Sequence, residues 1–188
     1  MTNWCSNSIV ITGPQAEIER LAEAFKHGRF CNGVIPVPDD LHITAGFRGD
    51  EAEKKELKRK TAENLEKHGY GNWYDFCTSR WGTKWDVGDD NFDVSDLGGG
   101  QFQLRAQFVS AWAPPVGVYE ALSERGDLEV KAYYRECGMG FAGMFQDGQD
   151  WCYTIGSIED ARDLPAELEN EFGIVAAMEE WESEEDAA

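Results

Sequence analysis

Alternating apolar and polar positions predict the strands of this chain. In Phe102–Ser110 and Leu128–Tyr134 every second residue is apolar, which is typical of a strand with one buried face. Ser8–Thr12 is a short β-branched run, and Phe141–Gln146 and Trp151–Ile155 flank a dipeptide that favours a hairpin turn. We predict that the segments sharing one antiparallel sheet are Ser8–Thr12, Phe102–Ser110, Leu128–Tyr134 and Trp151–Ile155.

Apolar residues at helical spacing predict the helices between these strands. One helix follows Pro14 and ends at Gly28, and another runs from Pro115 to Gly126. Between them, a helical insertion is predicted at about residues 48–80. Along its first helix, acidic and basic residues four positions apart can form ion pairs. Val34–Pro38 is extended, with two prolines that confine it to an edge or a loop. The opening therefore predicts a strand–helix–strand unit.

The order of elements predicts an α+β fold with a ferredoxin-like (split βαβ) antiparallel sheet and helices on one face. Residues 1–158 form this domain, including the charged helical insertion, and residues 159–188 form an acidic C-terminal helix and tail. That helix carries an apolar stripe which should pack on the core: Leu168, Phe172, Val175, Met178 and Trp181.

Negative charge dominates the composition and is concentrated in two places. The formal net charge is −19, and Glu159–Asp186 holds twelve acids against one base. A second cluster consists of Asp86, Asp89, Asp90, Asp93 and Asp96. A field of this sign repels nucleic acids and anionic membranes, so we predict no direct binding to either and a basic protein as partner.

The cysteines and the apolar runs indicate an intracellular protein without a metal or another cofactor. The five cysteines form no C-x-x-C pair, which predicts free thiols and neither a disulfide nor a zinc site. No run reaches the roughly 18 apolar residues of a membrane helix, and the first residues lack the pattern of a secretory signal. We therefore expect a cytoplasmic location; the sequence leaves the oligomeric state open.

Three local motifs point to chemistry but lack part of the context it needs. Gly138–Gly143 fits G-x-G-x-x-G but runs into a hairpin, whereas a dinucleotide site needs a following helix. His42 and Thr44 match one H-x-T element of two-histidine phosphoesterases, and no second element accompanies them. The Asp86–Asp96 cluster lacks the spacing of a calcium loop. We therefore predict no catalytic residue and no metal ligand.

A tryptophan-rich group is the candidate pocket. Trp81, Lys84, Trp85 and Trp112 could form an aromatic groove beside a cation. The interpretation we favour is that they fill the core, because tryptophans of a small domain usually fill volume. If Lys84 converged with His42 and Glu136 in a cleft, an enzyme would be favoured instead.

Four boxes in the same order resemble the YubB ferredoxin-like domain family, over roughly residues 1–156. The boxes are Asn3–Asn7 with Ile11–Gly13, Trp81–Asp86, Ala111–Pro115 and Glu136–Gly143. The resemblance implies a ferredoxin-like fold and an origin in phages or plasmids, and it implies no known reaction. The acidic segment from Glu159 lies outside it.

Together these features favour a binding protein over an enzyme. We predict a phage- or plasmid-encoded accessory protein of a host cell's cytoplasm. It would bind a basic host protein, such as a nucleic-acid-binding defence complex, as a DNA-mimicking anti-CRISPR or antirestriction inhibitor. The alternatives are a small-ligand-binding or phosphoesterase-like enzyme with a Trp/Lys/His pocket, and a structural phage protein. The predicted acidic face consists of Glu167, Glu169, Glu171, Glu179, Glu180 and the five aspartates Asp86, Asp89, Asp90, Asp93 and Asp96.

Overall fold

The structure, a computed structural model, describes residues 3–46 and 49–185. The strands are β1 (Trp4–Pro14), β2 (Phe92–Gly98), β3 (Gln101–Ala111), β4 (Glu129–Glu136), β5 (Phe141–Gln146) and β6 (Gln149–Thr154). The helices are α1 (Gln15–Lys26), α2 (Phe30–Val34), α3 (Glu51–His68), α4 (Trp73–Arg80), α5 (Val116–Ser123), α6 (Ile158–Arg162), α7 (Ala166–Phe172) and α8 (Ile174–Glu185).

The strands form one antiparallel sheet in the order β2-β3-β1-β4-β5-β6. The path β1-α1-β2-β3-α5-β4 is a split βαβ, because each helix connects two strands that a third strand separates. The β5–β6 hairpin extends this unit at the edge of β4. The prediction of one antiparallel sheet with a ferredoxin-like layout is confirmed.

The second strand of the fold lies in the aspartate-rich segment, where no strand was predicted. Phe92 and Val94 pack against the core and alternate with Asp93 and Ser95, so the strand period is present among the acids. The predicted extended segment after Val34 is not a strand of the sheet, since α2 ends there and a 3-10 turn follows at Asp39–Leu41. Its two prolines cannot donate backbone hydrogen bonds to a sheet.

The main core lies between one face of the sheet and helices α1 and α5. Alternate apolar residues of β1, β3 and β4 are buried on this face, among them Ile9, Leu104 and Val130. Phe25 of α1 is fully buried, with ring centroids of Phe30, Phe92 and Phe108 at 5.6, 5.8 and 5.5 Å. Aromatic contacts at these distances stabilise a core beyond simple burial of area.

The predicted insertion has the predicted helices, of which α4 contributes Phe76 and Cys77 to the core and α3 is attached by few buried groups. Helix α3 begins at a capping box in which Asp50 accepts the N–H groups of Ala52 and Glu53 at 2.9 Å. Asn64 is its only buried residue in the described chain and donates to the carbonyl groups of Asp40 and Gly71. No helix in the described ranges combines the length and hydropathy of a membrane span.

Helices also cover part of the opposite face, which corrects the prediction of helices on one face only. The predicted single C-terminal helix is three short ones, because Pro165 stands before α7 and Gly173 ends it with φ +56°. Leu168 and Ile174 are buried in a second apolar cluster under β4, β5 and β6. Phe172, Val175 and Met178 pack against that cluster, as the apolar stripe predicted, and the side chain of Trp181 lies outside the described residues.

Candidate functional site

The segment Trp81–Asp86 follows α4 and is fixed to the fold by backbone contacts. Thr83 is buried, and its hydroxyl donates to the Ala111 carbonyl at 3.0 Å and accepts the Ala111 N–H at 3.1 Å. Gly82 has φ +93°, and a Cβ added there would lie 2.8 Å from the Pro114 carbonyl oxygen. This close approach explains the glycine in the box, and it joins the box to the corner after β3.

A cavity of about 430 Å³ lies between this segment, α2 and α4; we call it the tryptophan pocket. The aromatic part of its lining consists of Trp73, Trp81 and Trp85. The Trp81 indole is 3% exposed and donates to the Ile35 carbonyl at 2.8 Å, so its plane is held fixed. The pocket therefore has at least one rigid aromatic wall.

Lys84 stands at the pocket among aromatic rings. Its Nζ lies 4.5 Å from the ring centroid of Trp85 and 5.7 Å from that of Tyr74. Trp85 in turn lies 5.9 Å from Trp4, centroid to centroid. An ammonium group at these distances from an indole face is held by a cation–π interaction.

The sequence favoured the interpretation that the tryptophans of the candidate pocket fill the core. This holds for one of the three tryptophans and not for the other two. Trp81 is buried, whereas Trp85 and Trp112 are 39% and 46% exposed. Trp112 does not line the pocket: it lies at the corner after β3, with φ +72° and its N–H donated to the Asn3 carbonyl at 2.9 Å. Trp81, Lys84 and Trp85 do line one pocket, as the alternative interpretation predicted.

Asp86, which was predicted to belong to the acidic face, has a structural role. Its carboxylate accepts the N–H groups of Cys31 at 2.7 Å, Asn32 at 3.2 Å and Val87 at 2.9 Å. It thereby ties the tryptophan segment to the first turn of α2. Burial raises the pKa of Asp86, and these backbone hydrogen bonds oppose the shift.

The other aspartates of the second cluster are spread over a loop and β2. Asp89 accepts the Asn91 N–H and Asp96 accepts the Gly98 N–H, each at 2.7 Å, so both fix local turns. Asp93 stands opposite Arg105 in the sheet, and Asp90 is exposed in the loop. In the ranges that the structure describes, no group of three His, Cys, Asp or Glu side chains could hold a metal ion.

The glutamates of α7 and α8 differ in what they contact. Glu167 and Glu180 are exposed, and Glu179 is exposed but bound to Arg162 at 2.9 Å. Glu169 accepts the Val175 N–H at 2.9 Å and so joins the start of α8 to α7. Glu171, another residue of the predicted acidic face, borders a groove on the uncovered part of the sheet. Residues of β1 and β3 line the same groove.

The groups that would favour an enzyme do not converge. His42 and Lys84 both border the tryptophan pocket, whereas Glu136 borders a different cavity beside α8. Glu136 is 3% exposed and accepts the N–H groups of Gly138 and Met139. The glycine-rich motif is accordingly a tight turn that leads into β5, and no helix follows it.

Sequence reasoning missed two residues of the pocket. Arg29 borders it, immediately after the left-handed Gly28 at the end of α1, and Trp73 borders it from the first turn of α4. Nothing in the local sequence links them to Trp81–Asp86, because the contact depends on how the insertion folds back. Cys77 lies at the same pocket; burial, and secondarily the charge of Asp86, raise its pKa to about 12. Its thiol is therefore protonated near neutral pH and unsuited to attack a substrate.

The comparison with protein families agrees with the fold. The family model described as the ferredoxin-like domain in Api92-like protein matches residues 80–186 of the 188. The crystal structure of a protein api92 from Yersinia pseudotuberculosis aligns with a TM-score of 0.39 and 13% identity, over 84% of this chain and 100% of that one. None of the curated proteins matches.

The family match differs in name and in extent from the resemblance that the sequence suggested. It names Api92-like proteins rather than the YubB family, and it includes the acidic helices that the resemblance left outside. It covers β2 to β6 and the three C-terminal helices, which is more than half of the sequence. The chain therefore belongs to the family of the ferredoxin-like domain in Api92-like protein.

Proposed function

We propose that this chain is a non-enzymatic accessory protein that binds a basic protein through the exposed carboxylates of α7 and α8. In its finer form, the proposal is a counter-defence inhibitor of phages or plasmids that occupies the DNA-binding channel of a restriction enzyme or a CRISPR effector. Such channels are positively charged and hold a nucleic-acid backbone, so a rigid surface of carboxylates matches their charge.

The observation that carries the proposal is the way in which the C-terminal helices dock. Leu168 and Ile174 are buried against the sheet, and Glu167, Glu179 and Glu180 remain exposed. The apolar contacts therefore hold these carboxylates on an ordered support instead of a tail. Ordered charge of one sign speeds association with a partner of the opposite sign, and salt weakens the effect because the Debye length falls to about 3 Å at 1 M.

Four carboxylates of the predicted acidic face have a structural role. Asp86, Asp89, Asp96 and Glu169 accept local backbone hydrogen bonds, so replacing them would disturb the fold as well as a surface. Among the described carboxylates without such a role, Glu167, Glu179 and Glu180 are the exposed ones on α7 and α8. The experiment below therefore changes these three residues.

A charge-reversal pair tests the proposal. Changing Glu167, Glu179 and Glu180 together to Lys alters the formal net charge from −19 by 3 × 2 units, to −13. A control that changes Glu66, Glu124 and Glu129 to Lys produces the same net charge, with three exposed sites on α3, after α5 and on β4. Both variants should fold, because exposed substitutions typically cost under about 0.5 kcal/mol each.

The readout is DNA cleavage by a panel of purified restriction enzymes and CRISPR effectors, at low and at high salt. The native protein should inhibit at least one of them, the helix variant should lose inhibition, and the control should retain most of it. Equal inhibition by the two variants would show that only net charge matters. No inhibition of any enzyme by the native protein would remove the counter-defence form of the proposal.

A further inference from the structure

We propose that the tryptophan pocket is a binding site for a mononucleotide, whose base stacks on the exposed indole of Trp85 and whose phosphate contacts Lys84 and Arg29. The proposal concerns another surface than the acidic helices and is independent of their function. It rests on three features of the pocket: its shape and aromatic walls, its cations, and the hydrogen bonding and solvent exposure of its carboxylates.

The shape and the walls suit a planar ligand. The cavity volume of about 430 Å³ falls within the range of about 300–1,000 Å³ that is common for small-molecule sites. Trp81 is fixed by its hydrogen bond to the Ile35 carbonyl, while Trp85 is 39% exposed. An exposed indole beside a buried one offers a face on which a base can stack, and stacking of a base on an aromatic side chain contributes about 1–3 kcal/mol.

Two cations, Arg29 and Lys84, border the pocket. Acids outnumber lysines and arginines by 36 to 17, and most of the cations on α3 form ion pairs with neighbouring glutamates or with Asp40. Arg29 and Lys84 form no ion pair with any carboxylate of the described residues, and Lys84 contacts only aromatic rings. Two cations left unpaired at one cavity favour an anionic ligand such as a phosphate.

In the part of the chain that the structure describes, the carboxylate of Asp86 forms no ion pair with Arg29 or Lys84. Asp86 borders the pocket, but both of its oxygens accept backbone N–H groups of the surrounding loop and helix. Asp39 stands in an exposed turn at the rim, where water screens its charge. A compact ligand held inside the pocket would meet the cations at short range, while a long nucleic acid would also meet the repelling field of the whole acidic surface.

The site is one for binding and not for chemistry on the nucleotide. Cys77, the nucleophilic residue type at the pocket, has a pKa of about 12 because it is buried. Lys84 is held against two aromatic rings, and the described residues place no second general acid or base at hydrogen-bonding distance from it. The ligand should therefore be released unchanged.

Isothermal titration calorimetry of the full chain would test the proposal, with adenosine monophosphate, adenosine, inorganic phosphate and a single-stranded oligonucleotide as separate ligands. Adenosine monophosphate should bind with a Kd at or below about 1 mM, and adenosine and phosphate should each bind about tenfold more weakly or worse. Guanosine, cytidine and uridine monophosphates then show which base the pocket prefers.

Two pairs of variants locate the site. Lys84→Met keeps the aliphatic stem and removes the charge, and Trp85→Ala removes the exposed wall; each should weaken binding of adenosine monophosphate about tenfold or more. Matched controls elsewhere are Lys131→Met on β4 and Trp112→Ala at the corner after β3, and both should leave the affinity unchanged. Trp85→Phe should restore most of the loss caused by Trp85→Ala.

Three outcomes would overturn the proposal. The first is that none of the four mononucleotides binds at about 1 mM. The second is that inorganic phosphate binds as tightly as the nucleotides, which would leave an anion site without base stacking. The third is that the oligonucleotide binds more tightly than any mononucleotide, which would indicate a nucleic-acid surface and contradict the predicted repulsion.

Discussion

Replacing Asp86 with Ala should destabilise the fold although Asp86 lies in what the sequence predicted to be an acidic binding face. The substitution leaves three backbone N–H groups without their acceptor: those of Cys31, Asn32 and Val87. Cys31 and Val87 are buried, whereas Asn32 is half-buried, so its N–H group can form a hydrogen bond with water instead. An unsatisfied buried donor costs about 1–3 kcal/mol, so two of them give an expected loss of about 2–6 kcal/mol.

The measurement is urea unfolding followed by tryptophan fluorescence, with the slope of the transition used to check that only stability has changed. Asp89→Ala is the matched control, because it removes the same charge from an exposed residue that accepts one N–H, and it should cost under about 1 kcal/mol. In thermal unfolding the Asp86 variant should melt about 4–24 °C lower than the native protein. If the two variants differ by under about 0.5 kcal/mol, the structural role assigned to Asp86 is wrong.

The pH dependence of this difference follows from the raised pKa of Asp86. The folded chain takes up a proton at higher pH than the unfolded chain, whose aspartate pKa is about 3.9. The contribution of this carboxyl group to stability is therefore greatest below the unfolded pKa and falls as pH rises through the folded one. The stability difference between native protein and Asp86→Ala should accordingly be larger near pH 3.5 than at pH 7.

Three other results are expected. Ellman's reagent at pH 8 should modify Cys137 and Cys152 rapidly and three more thiols only on unfolding, because burial raises the pKa of Cys5 and Cys77 to about 12; fewer than five thiols in denaturant would contradict this. A random DNA duplex should not bind at physiological salt, which an electrophoretic shift assay would check, since the net charge of −19 repels phosphates. Gly143→Ala should lower stability in urea by about 2 kcal/mol or more, because its Cβ would lie 2.3 Å from the Tyr134 ring and 2.5 Å from the Trp151 carbonyl; an unchanged midpoint would refute it.

The sheet could be predicted from the sequence because apolar and polar residues alternate visibly along its strands. Phe102–Ser110 and Leu128–Tyr134 have every second residue buried, and both lie where the pattern placed them. Strand β2 could not be found in the same way, since aspartates occupy its exposed positions and resemble a loop. Pairing with β3, which covers Phe92 and Val94, is a tertiary contact that outweighs the low strand propensity of Asp.

The pocket was harder to predict than the sheet because its walls come from distant segments. Trp81 and Trp85 were identified, but their different burial depends on how the insertion folds over α2. The role of Asp86 depends on the N–H groups of residues 55 and 54 positions away. A charge count cannot distinguish a carboxylate that faces solvent from one that accepts backbone hydrogen bonds, so the structural role of Asp86 could not be predicted.

The central position of β1 affects how the chain folds during its synthesis. β1 leaves the ribosome first, yet it lies between β3 and β4. Its Asn7 bonds to Ser110, 103 residues further along the chain. At about 5–20 residues per second the partner strands follow roughly 5–20 s later. During that interval Ile9 and Ile11, which are buried in the finished fold, belong to an unpaired apolar strand. A chaperone that binds short apolar segments would have a target there, and faster synthesis, which shortens the interval, should improve the yield of folded protein.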